Sequence, residues 1–304
     1  MLSVITAARD NRQMTLNCLV SMEHTFRVLG METLVEYILI DDESKPESGV
    51  VDLYREFRAN GHRVTILRFR RREHYTMGFS CGLSLAQGNN VLFVSNDMVL
   101  PPAYIKTLLA VSTLDDKWGI VRGTSQYTDC FPEYTVIPPT ELSGYFDVCG
   151  FSEYIAKHRG LRFSKDTFLT GDAVLVKRSV IERIGVMDVR FFGFFGDIDF
   201  GLRAQRAGFD LVCAQGAWLW HEGAGWTKDK AMGDEAKRKQ IQEERMREVE
   251  AAYEVFVQKW DPAMPRKYAT IFDIDTQRLR AKKDITCSEY VEPIRITNDF
   301  CELM

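Results

Sequence analysis

The sequence predicts an α/β protein with a mostly parallel central sheet flanked by helices. Short apolar runs recur in the first half of the chain, at residues 3–7, 35–40, 64–69 and 91–94. Segments with helical spacing of apolar residues alternate with them, at 11–29, 50–57, 79–86 and 103–111. Strands that alternate with helices in this way form βαβ units, whose strands run parallel.

Local signals support each element of this half. Each apolar run is short and bounded by polar residues, as expected of a buried strand. Gly88 can end the third helix, and Pro101 and Pro102 precede the fourth, as proline often does at a helix start. Ligands of such sheets bind beyond the carboxyl ends of the strands. The strand at 35–40 leads into Asp41-Asp42 and the strand at 91–94 into Ser95-Asn96-Asp97, which places acids at that edge.

The second half of the chain is less regular. Residues 131–160 are rich in proline, glycine and aromatic residues, which indicates long loops with short strands. Further expected elements are strands at 168–177, 211–213 and 217–220, helices at 179–184 and 199–207, and a charged amphipathic helix at 237–260. Gly208 is placed to end the second of these helices. Beyond residue 260 we find no clear pattern.

Composition excludes several classes of protein. The chain has 304 residues, of which 45% are hydrophobic and 27% charged, which suits a globular protein with a sizeable core. Its formal net charge of -4 argues against nucleic-acid binding, which depends on cations set against phosphates. We therefore expect no nucleic-acid partner. A phosphate-bearing small ligand remains open, because one site can be locally positive.

Cysteine usage and the N-terminus point to a cytoplasmic protein. There are seven cysteines and no CxxC pair, so we expect reduced thiols and neither a disulfide framework nor a zinc knuckle. The chain begins with no signal-peptide pattern, and no apolar run reaches membrane-spanning length. Peripheral contact with the inner face of a membrane and assembly into a homo-oligomer both stay open.

Carboxylates after the strands are the first candidates for chemistry. Asp41 and Asp42 can accept hydrogen bonds from a nucleobase or from ribose hydroxyls. Asp97 is a suitable ligand for a hard divalent cation that also holds a diphosphate. Each of these acids, taken alone, is better explained as a turn or helix-capping residue.

Two acids and a histidine in the second half are further candidates. Asp197 and Asp199 follow an aromatic and glycine-rich stretch, and could supply a general base and a group that orients it. Capping of the following helix is the alternative and explains one of them more easily than both. His221 is a candidate metal ligand, or else a hydrogen-bonded core histidine. The basic run at 68–72 reads as a solvated strand end, with a donor diphosphate or anionic headgroups as lesser alternatives.

The order and spacing of these segments resemble family 2 glycosyltransferases of the GT-A fold. The resemblance covers roughly residues 2–260 and is carried by the segments 3–12, 38–44, 77–80, 93–102, 171–188, 192–203, Trp220-His221 and 256–260. Two positions depart from the family pattern. Ser95 stands where many members carry an acid or amide, and Gly196 stands where many carry Glu.

The resemblance implies a role for each segment. It implies a nucleoside diphosphate sugar as donor, with uridine or deoxythymidine, and Mn²⁺ or Mg²⁺ held on the diphosphate by Asp97 and His221. It places Asp42 against the base, Asp41 towards the ribose, and Asp197 as the general base of an inverting transfer, with Asp199 as the second acid of its motif. The remaining positions expected at the nucleotide are Ala7, Arg9, Asn11, Gly78 and Asn96.

The resemblance also implies how the chain is divided. We expect a nucleotide-sugar-binding half at 1–125, an acceptor-binding and catalytic half of the same domain at 126–227, and a C-terminal helical extension and tail at 228–304. The acceptor hydroxyl would belong to a glycan, a lipid-linked sugar or a protein. A sugar nucleotidyltransferase is a weaker reading, because the loop at 8–12 has no glycine. A degenerate sugar- or nucleotide-binding module without turnover is the alternative from another class.

Overall fold

A computed structural model describes residues 1–128, 131–170, 173–223, 235–268, 270, 274–283, 285 and 288–304. Gly171, at the start of one segment of the family resemblance, and two of the cysteines, Cys130 and Cys287, lie outside these residues. The five described cysteines are all free thiols, as expected.

The sheet is mixed, with a parallel block formed by strands from the first part of the chain. The strands are β1 (Leu2–Ala8), β2 (Val35–Asp41), β3 (Val64–Phe69), β4 (Asn90–Val94), β5 (Met98–Val99), β6 (Trp118–Ser125), β7 (Phe163–Lys165), β8 (Ala173–Lys177), β9 (Asp210–His221) and β10 (Cys301–Leu303). Their order is β10-β3-β2-β1-β4-β8-β6-β9-β5, with β7 also on β9. Strands β3, β2, β1 and β4 run parallel, while β8 is antiparallel to both β4 and β6. The expected α/β class with a largely parallel sheet is confirmed.

Helices cover both faces of this sheet. They are α1 (Arg12–Val28), α2 (Val50–Ala59), α3 (His74–Leu85), α4 (Pro102–Ser112), α5 (Tyr145–Arg159), α6 (Arg178–Ile184), α7 (Gly196–Arg206), α8 (Glu235–Trp260) and α9 (Thr276–Ala281). Apolar residues of α1, α2 and α4 form one buried cluster on the sheet, and those of α3, α6 and α7 form another on the opposite face. A third apolar cluster joins α7 to α8.

Several expected boundaries are wrong. Helix α3 begins at His74, so Gly78 lies inside it rather than in a turn before it. Helix α7 begins at Gly196, three residues before the expected start at Asp199. Strands expected at 211–213 and 217–220 are one strand, β9, whose pairing with β6 is interrupted by a register shift. The expected strand at 168–177 is shortened to β8.

Helix α5 was not expected at all in the region interpreted as loops. Its buried residues Val148, Ser152 and Ile155 follow helical spacing. The pattern is hidden because large apolar residues of the same helix are exposed, among them Phe146 and Tyr154. Exposed aromatic residues interrupt the polar face by which an amphipathic helix is identified in a sequence.

Glycine permits a close contact between α3 and the sheet. A Cβ atom at Gly82 of α3 would lie 2.5 Å from Cγ2 of Ile5 in β1. A larger residue would force the helix away from the strand. The first turn of α3 is thereby held over the carboxyl end of the parallel strands, where ligands of such sheets bind.

A buried ionic network ties α7 to the end of α8. Asp199 of α7 is fully buried, and its Oδ2 accepts a bond of 2.8 Å from Nε of Arg203. Its Oδ1 lies 2.6 Å from Nζ of Lys259 and accepts a bond of 3.0 Å from Nε1 of Trp260. Lys259 Nζ also lies 2.8 Å from Oδ2 of Asp188. One lysine therefore bridges two buried carboxylates, and each of them also pairs with an arginine, Asp188 with Arg190 and Asp199 with Arg203.

Asp188 contributes to the pH dependence of this network. Burial alone would raise its pKa, but bonds from Arg190 and Lys259 hold the pKa well below its usual range. The stabilisation from this carboxylate is present above the ordinary Asp pKa and is lost as the pH falls through the lowered value. The network is thus intact at neutral pH.

We expect Lys259→Met to destabilise the fold by about 3–5 kcal/mol, because it leaves two buried carboxylates without their shared cation. Urea unfolding at pH 7 measures the change. Lys239→Met is the matched control, since Lys239 lies on the same helix and is exposed, and it should change stability by less than about 0.5 kcal/mol. Equal stability of the two variants would contradict a structural role for Lys259.

Candidate active site

The carboxyl ends of β1, β2 and β4 carry most of the predicted site residues to one edge of the sheet. Parallel pairing places Ala8 beside Asp41, and the backbone N–H of Asp42 donates to the carbonyl of Ala8 over 2.9 Å. Ala7, also on β1, packs against α3, where a Cβ at Gly78 would lie 3.7 Å from the Ala7 Cβ. Ala7 and Gly78 therefore contribute to this edge through their backbone positions and packing, since neither has a polar side chain.

Two loops at this edge are cross-linked. The backbone N–H of Asp10 donates to Oγ of Ser44 over 2.9 Å, and the N–H of Lys45 donates to Oδ1 of Asp10 over 2.8 Å. Arg9 lies 3.3 Å from Glu43 in a partly exposed ion pair. Asp10 and Glu43 both adopt left-handed backbone conformations, which non-glycine residues rarely do. The loops after β1 and β2 therefore form one rigid unit.

The predicted residues Asn11 and Asn96 have structural partners on α1. Asn11 caps α1, since its side-chain oxygen accepts a bond of 3.2 Å from the N–H of Met14. The side-chain amide of Asn96 donates to Oγ1 of Thr15 over 3.0 Å. These bonds position the loops after β1 and β4 against the same helix.

The two adjacent aspartates are placed differently. Asp41 is fully buried, accepts a bond of 3.2 Å from the N–H of Ser44, and lies 3.2 Å from Nε of Arg68. Burial raises its pKa, against the opposing effects of Ser44 and Arg68. The structure thus places Asp41 inside the protein, whereas Asp42 is only partly buried.

Asp42 lies against the first turn of α3. Its carboxylate accepts bonds from the backbone N–H groups of Glu73, over 2.7 Å, and His74, over 3.2 Å to Oδ2. Burial raises the pKa of Asp42, although these bonds and the guanidinium groups of Arg9 and Arg72 oppose the shift. A helix N-terminus favours a negative charge at this position. Asp42 therefore links the end of β2 to the start of α3.

Asp97 and His221 meet across the β5–β9 pair. Met98 pairs with His221 in register, and Nε2 of His221 lies 3.3 Å from Oδ2 of Asp97. Nδ1 of His221 lies 3.1 Å from the carbonyl oxygen of Tyr127. A proton on Nδ1 would be donated to that carbonyl, which leaves the Nε2 lone pair directed at the Asp97 side.

These two residues fit a divalent cation. Two neighbouring ligands of an octahedral ion lie about 3 Å apart when each bond is about 2.1 Å, which is close to the 3.3 Å observed between Asp97 and His221. The backbone carbonyl behind Nδ1 is the usual outer partner of a metal-binding histidine. Within the described part of the chain, no group of three or more His, Cys, Asp or Glu residues could hold a metal.

Asp197 and Asp199 occupy the first turn of α7 but face different surroundings. Asp197 is partly exposed and accepts a bond of 2.9 Å from the N–H of Ile198. Asp199 is fully buried in the ionic network described above. Phe195, which precedes the helix, supplies no side-chain cap, and the carboxylate of Asp199 instead contacts Arg203 and Lys259. Of the two, Asp197 alone can reach solvent.

Sequence reasoning missed His74, which the structure places between Asp42 and the loop before α7. Its ring is 4.8 Å from that of Phe192 and 6.0 Å from that of Phe194, measured between centroids. Nε2 lies 3.7 Å from a carboxylate oxygen of Glu248 in α8. No sequence signal marks this residue, because its neighbours lie in distant segments.

Comparison with known proteins bears on this arrangement. The family profile described as "Glycosyltransferase like family 2" matches residues 4–251. This chain belongs to that family. In a comparison with curated protein sequences, none matched.

Solved structures of glycosyltransferases share the fold of this family 2 chain. A mannosyltransferase from Pyrobaculum calidifontis, PcManGT, solved with GDP-Man and Mn²⁺, aligns at a TM-score of 0.52 with 12% identity, over 75% of this chain and 59% of that one. GalNAc-T7 with UDP, GalNAc and Mn²⁺ aligns at 0.56 with 13% identity, over 73% and 43%. S. aureus TarS 1-349 aligns at 0.50 with 13% identity, over 72% and 60%. The chain thus corresponds to roughly half the length of these proteins, and identities this low establish the fold alone.

None of the helices in the described residues is both long enough and apolar enough to cross a bilayer.

His74 should make stability depend on pH. Burial, together with Arg72 and Arg9, lowers its pKa from 6.5 to about 4. The folded protein therefore binds fewer protons than the unfolded chain between these values, and stability is lost as the pH falls through this window. Relative to His74→Asn, the wild type should lose up to about 3 kcal/mol between pH 6.5 and 4.

Urea unfolding at several pH values measures this difference. His158→Asn is the control, because His158 is exposed on α5, and its stability should follow the wild type at every pH. A difference between wild type and His74→Asn that does not change with pH would contradict the prediction.

Proposed function

We propose that this chain is an inverting, metal-dependent glycosyltransferase. It would move a sugar from a nucleoside diphosphate sugar, with uridine or deoxythymidine, to a hydroxyl of a glycan, a lipid-linked sugar or a protein. The observation that carries the proposal is the approach of Asp97 to His221 within 3.3 Å, at the edge where the parallel strands end. Family membership and the GDP-Man or UDP found in two structural neighbours support it.

Residues of this chain would bind and orient the donor. Asp42, held by the N-terminus of α3, would meet the nucleobase. Arg9 and the rigid loops after β1 and β2 would line the nucleotide. Asp97 and His221 would hold Mn²⁺ or Mg²⁺, which when bound stabilises negative charge on the departing diphosphate.

Asp197 would act as general base. It is the partly exposed acid of the α7 turn, so it can approach an acceptor hydroxyl. The acceptor oxygen forms a bond to the anomeric carbon, the bond from that carbon to the diphosphate oxygen breaks, and the hydroxyl proton passes to the Asp197 carboxylate. A single displacement inverts the anomeric centre. Asp199 would act through α7, by keeping this turn in place.

Metal-dependent binding should depend on Asp97. Asp97→Ala removes one of two protein ligands and should weaken binding of UDP in the presence of Mn²⁺ by more than about 10-fold. Titration calorimetry with UDP, dTDP and GDP, with and without a chelator, measures this and also identifies the preferred base.

The control for this experiment is Asp116→Ala, at an exposed turn away from the site, which should bind as the wild type does. Mn²⁺-dependent binding that survives Asp97→Ala unchanged would exclude the metal assignment.

Turnover should depend on Asp197 far more than donor binding does. Asp197→Asn keeps the shape but removes the basicity, and should lower kcat by about 10²–10⁴-fold. Asp199→Asn should instead lower stability, because it breaks a buried ion pair. Nucleotide release from UDP-sugars with a panel of acceptors gives the rates, and NMR of the product linkage should reveal inverted configuration.

Three results would contradict parts of this proposal. Full turnover in Asp197→Asn places the base elsewhere. A retained anomeric configuration excludes the single displacement. Donor binding by the wild type without any turnover on any acceptor favours the alternative of a sugar-binding module without activity.

A further inference from the structure

His74 has an unusual backbone conformation at the start of α3. It is the first residue of the helix and has a φ of +69°. The left-handed region is unfavourable for a residue with a side chain, and a conformation of this kind persists only where the surroundings enforce it. The enforcing contact is Asp42, whose two carboxylate oxygens both lie within 3.3 Å of the His74 nitrogen.

The His74 ring is wedged against the loop that leads to Asp197. It packs on Phe192, and the backbone of Gly193 lies directly against it. A Cβ atom at Gly193 would be 2.2 Å from two atoms of the ring, and the φ of +77° at this glycine also disfavours any side chain. No spare space therefore separates the ring from the loop. A movement of the first turn of α3 must displace the loop.

Helix α8 closes the other side of His74. Glu248 lies 3.7 Å from Nε2 of His74 and 3.0 Å from Nη1 of Arg72. The guanidinium of Arg72 lies 5.6 Å from the ring centre of Phe192. Since α8 is fixed at its far end by Lys259, Glu248 provides a firm support against which the histidine rests.

We propose that His74 is a positioning residue that transmits occupancy of the nucleotide position at Asp42 to the loop before α7, which leads to Asp197. The proposal rests on the proposed function, since it assumes that Asp42 meets the nucleotide. A nucleotide that bonds to the Asp42 carboxylate competes with the N–H groups of Glu73 and His74 for the same oxygens. The first turn of α3 then shifts, and the ring moves the loop before α7.

This arrangement gives the donor an effect on the acceptor side without a direct contact. A ligand shifts a conformation only through contacts that differ between the two states, and the bonds to Asp42 are such contacts. Removing the His74 ring should leave donor binding nearly intact, but donor binding should then no longer influence the position of Asp197. The kinetic result is a lower kcat with little change in donor KM.

A fluorine label at Phe192 tests the coupling without any need for turnover. A trifluoromethyl-phenylalanine placed at 192 should change its ¹⁹F resonance when UDP and Mn²⁺ bind. In His74→Ala the resonance should stay in place, while calorimetry gives a UDP affinity within about threefold of the wild type. The label at Phe163, an exposed residue on β7, should not respond in either protein.

Two further variants sharpen the test. His158→Ala, at an exposed histidine, should keep the full ¹⁹F response. Gly193→Ala disturbs the same contact from the loop side and should reproduce the loss of response and of kcat. It also carries the test if His74→Ala fails to fold.

The outcomes separate the inference from the proposed function. Wild-type protein that binds neither UDP, dTDP nor GDP refutes the proposed function, and the inference with it. If UDP binds and still shifts the ¹⁹F resonance in both His74→Ala and Gly193→Ala as it does in the wild type, the inference alone is refuted. Loss of UDP binding in His74→Ala, with normal kcat at saturation, makes His74 a nucleotide-binding residue and also overturns the positioning role.

Discussion

The buried cation of Lys259 is the interaction on which the second half of the molecule depends. It lies between the carboxylates of Asp188 and Asp199, both inside the protein. Buried carboxylates repel one another and are costly to desolvate unless a cation stands between them. The lysine thereby joins three segments distant in sequence: the loop after α6, helix α7 and the end of α8. The orientation of the α7 turn follows from this contact.

The two sides of the proposed donor site are supported in different ways. The Asp97–His221 pair is held by strand pairing between β5 and β9, which fixes the backbone on both sides. Asp42 is held by two N–H groups at a helix start, and these groups would have to share it with a nucleotide. The Asp97–His221 side is therefore held by backbone pairing, whereas the Asp42 side would exchange internal hydrogen bonds for hydrogen bonds to a ligand.

Periodicity predicted the parallel half of the fold, because apolar runs and amphipathic helices alternate there. It placed two helix starts too late, at α3 and α7, because Gly78 and Gly196 resemble helix breakers. Gly78 instead lies inside α3 and Gly196 is the first residue of α7, where a Cβ would lie 2.7 Å from Oγ1 of Thr76. Close packing between distant segments leaves no local pattern in a sequence.

The candidate site was predictable to a similar extent. Strand-end acids and the late histidine could be identified, and Asp97 and His221 lie together. That Asp41 and Asp199 are fully buried, while Asp42 and Asp197 are only partly so, could not be predicted, because both acids of each pair carry the same charge and belong to the same motif. His74 escaped notice for a simpler reason: Glu248, its neighbour on α8, is brought to it only by the completed fold.

Strand β10 completes the sheet from a remote part of the chain. It lies antiparallel to β3, and the bond from Arg70 to Asn298 spans 228 residues. Contacts between such distant segments form slowly, because the entropy cost of closing a long loop comes before any stabilisation from the contact. Until then the outer edge of β3 presents unpaired backbone groups, which attract strands of other chains. During refolding, the yield of monomer should thus be decided by a competition between this intramolecular closure and association, and dilution would favour the former.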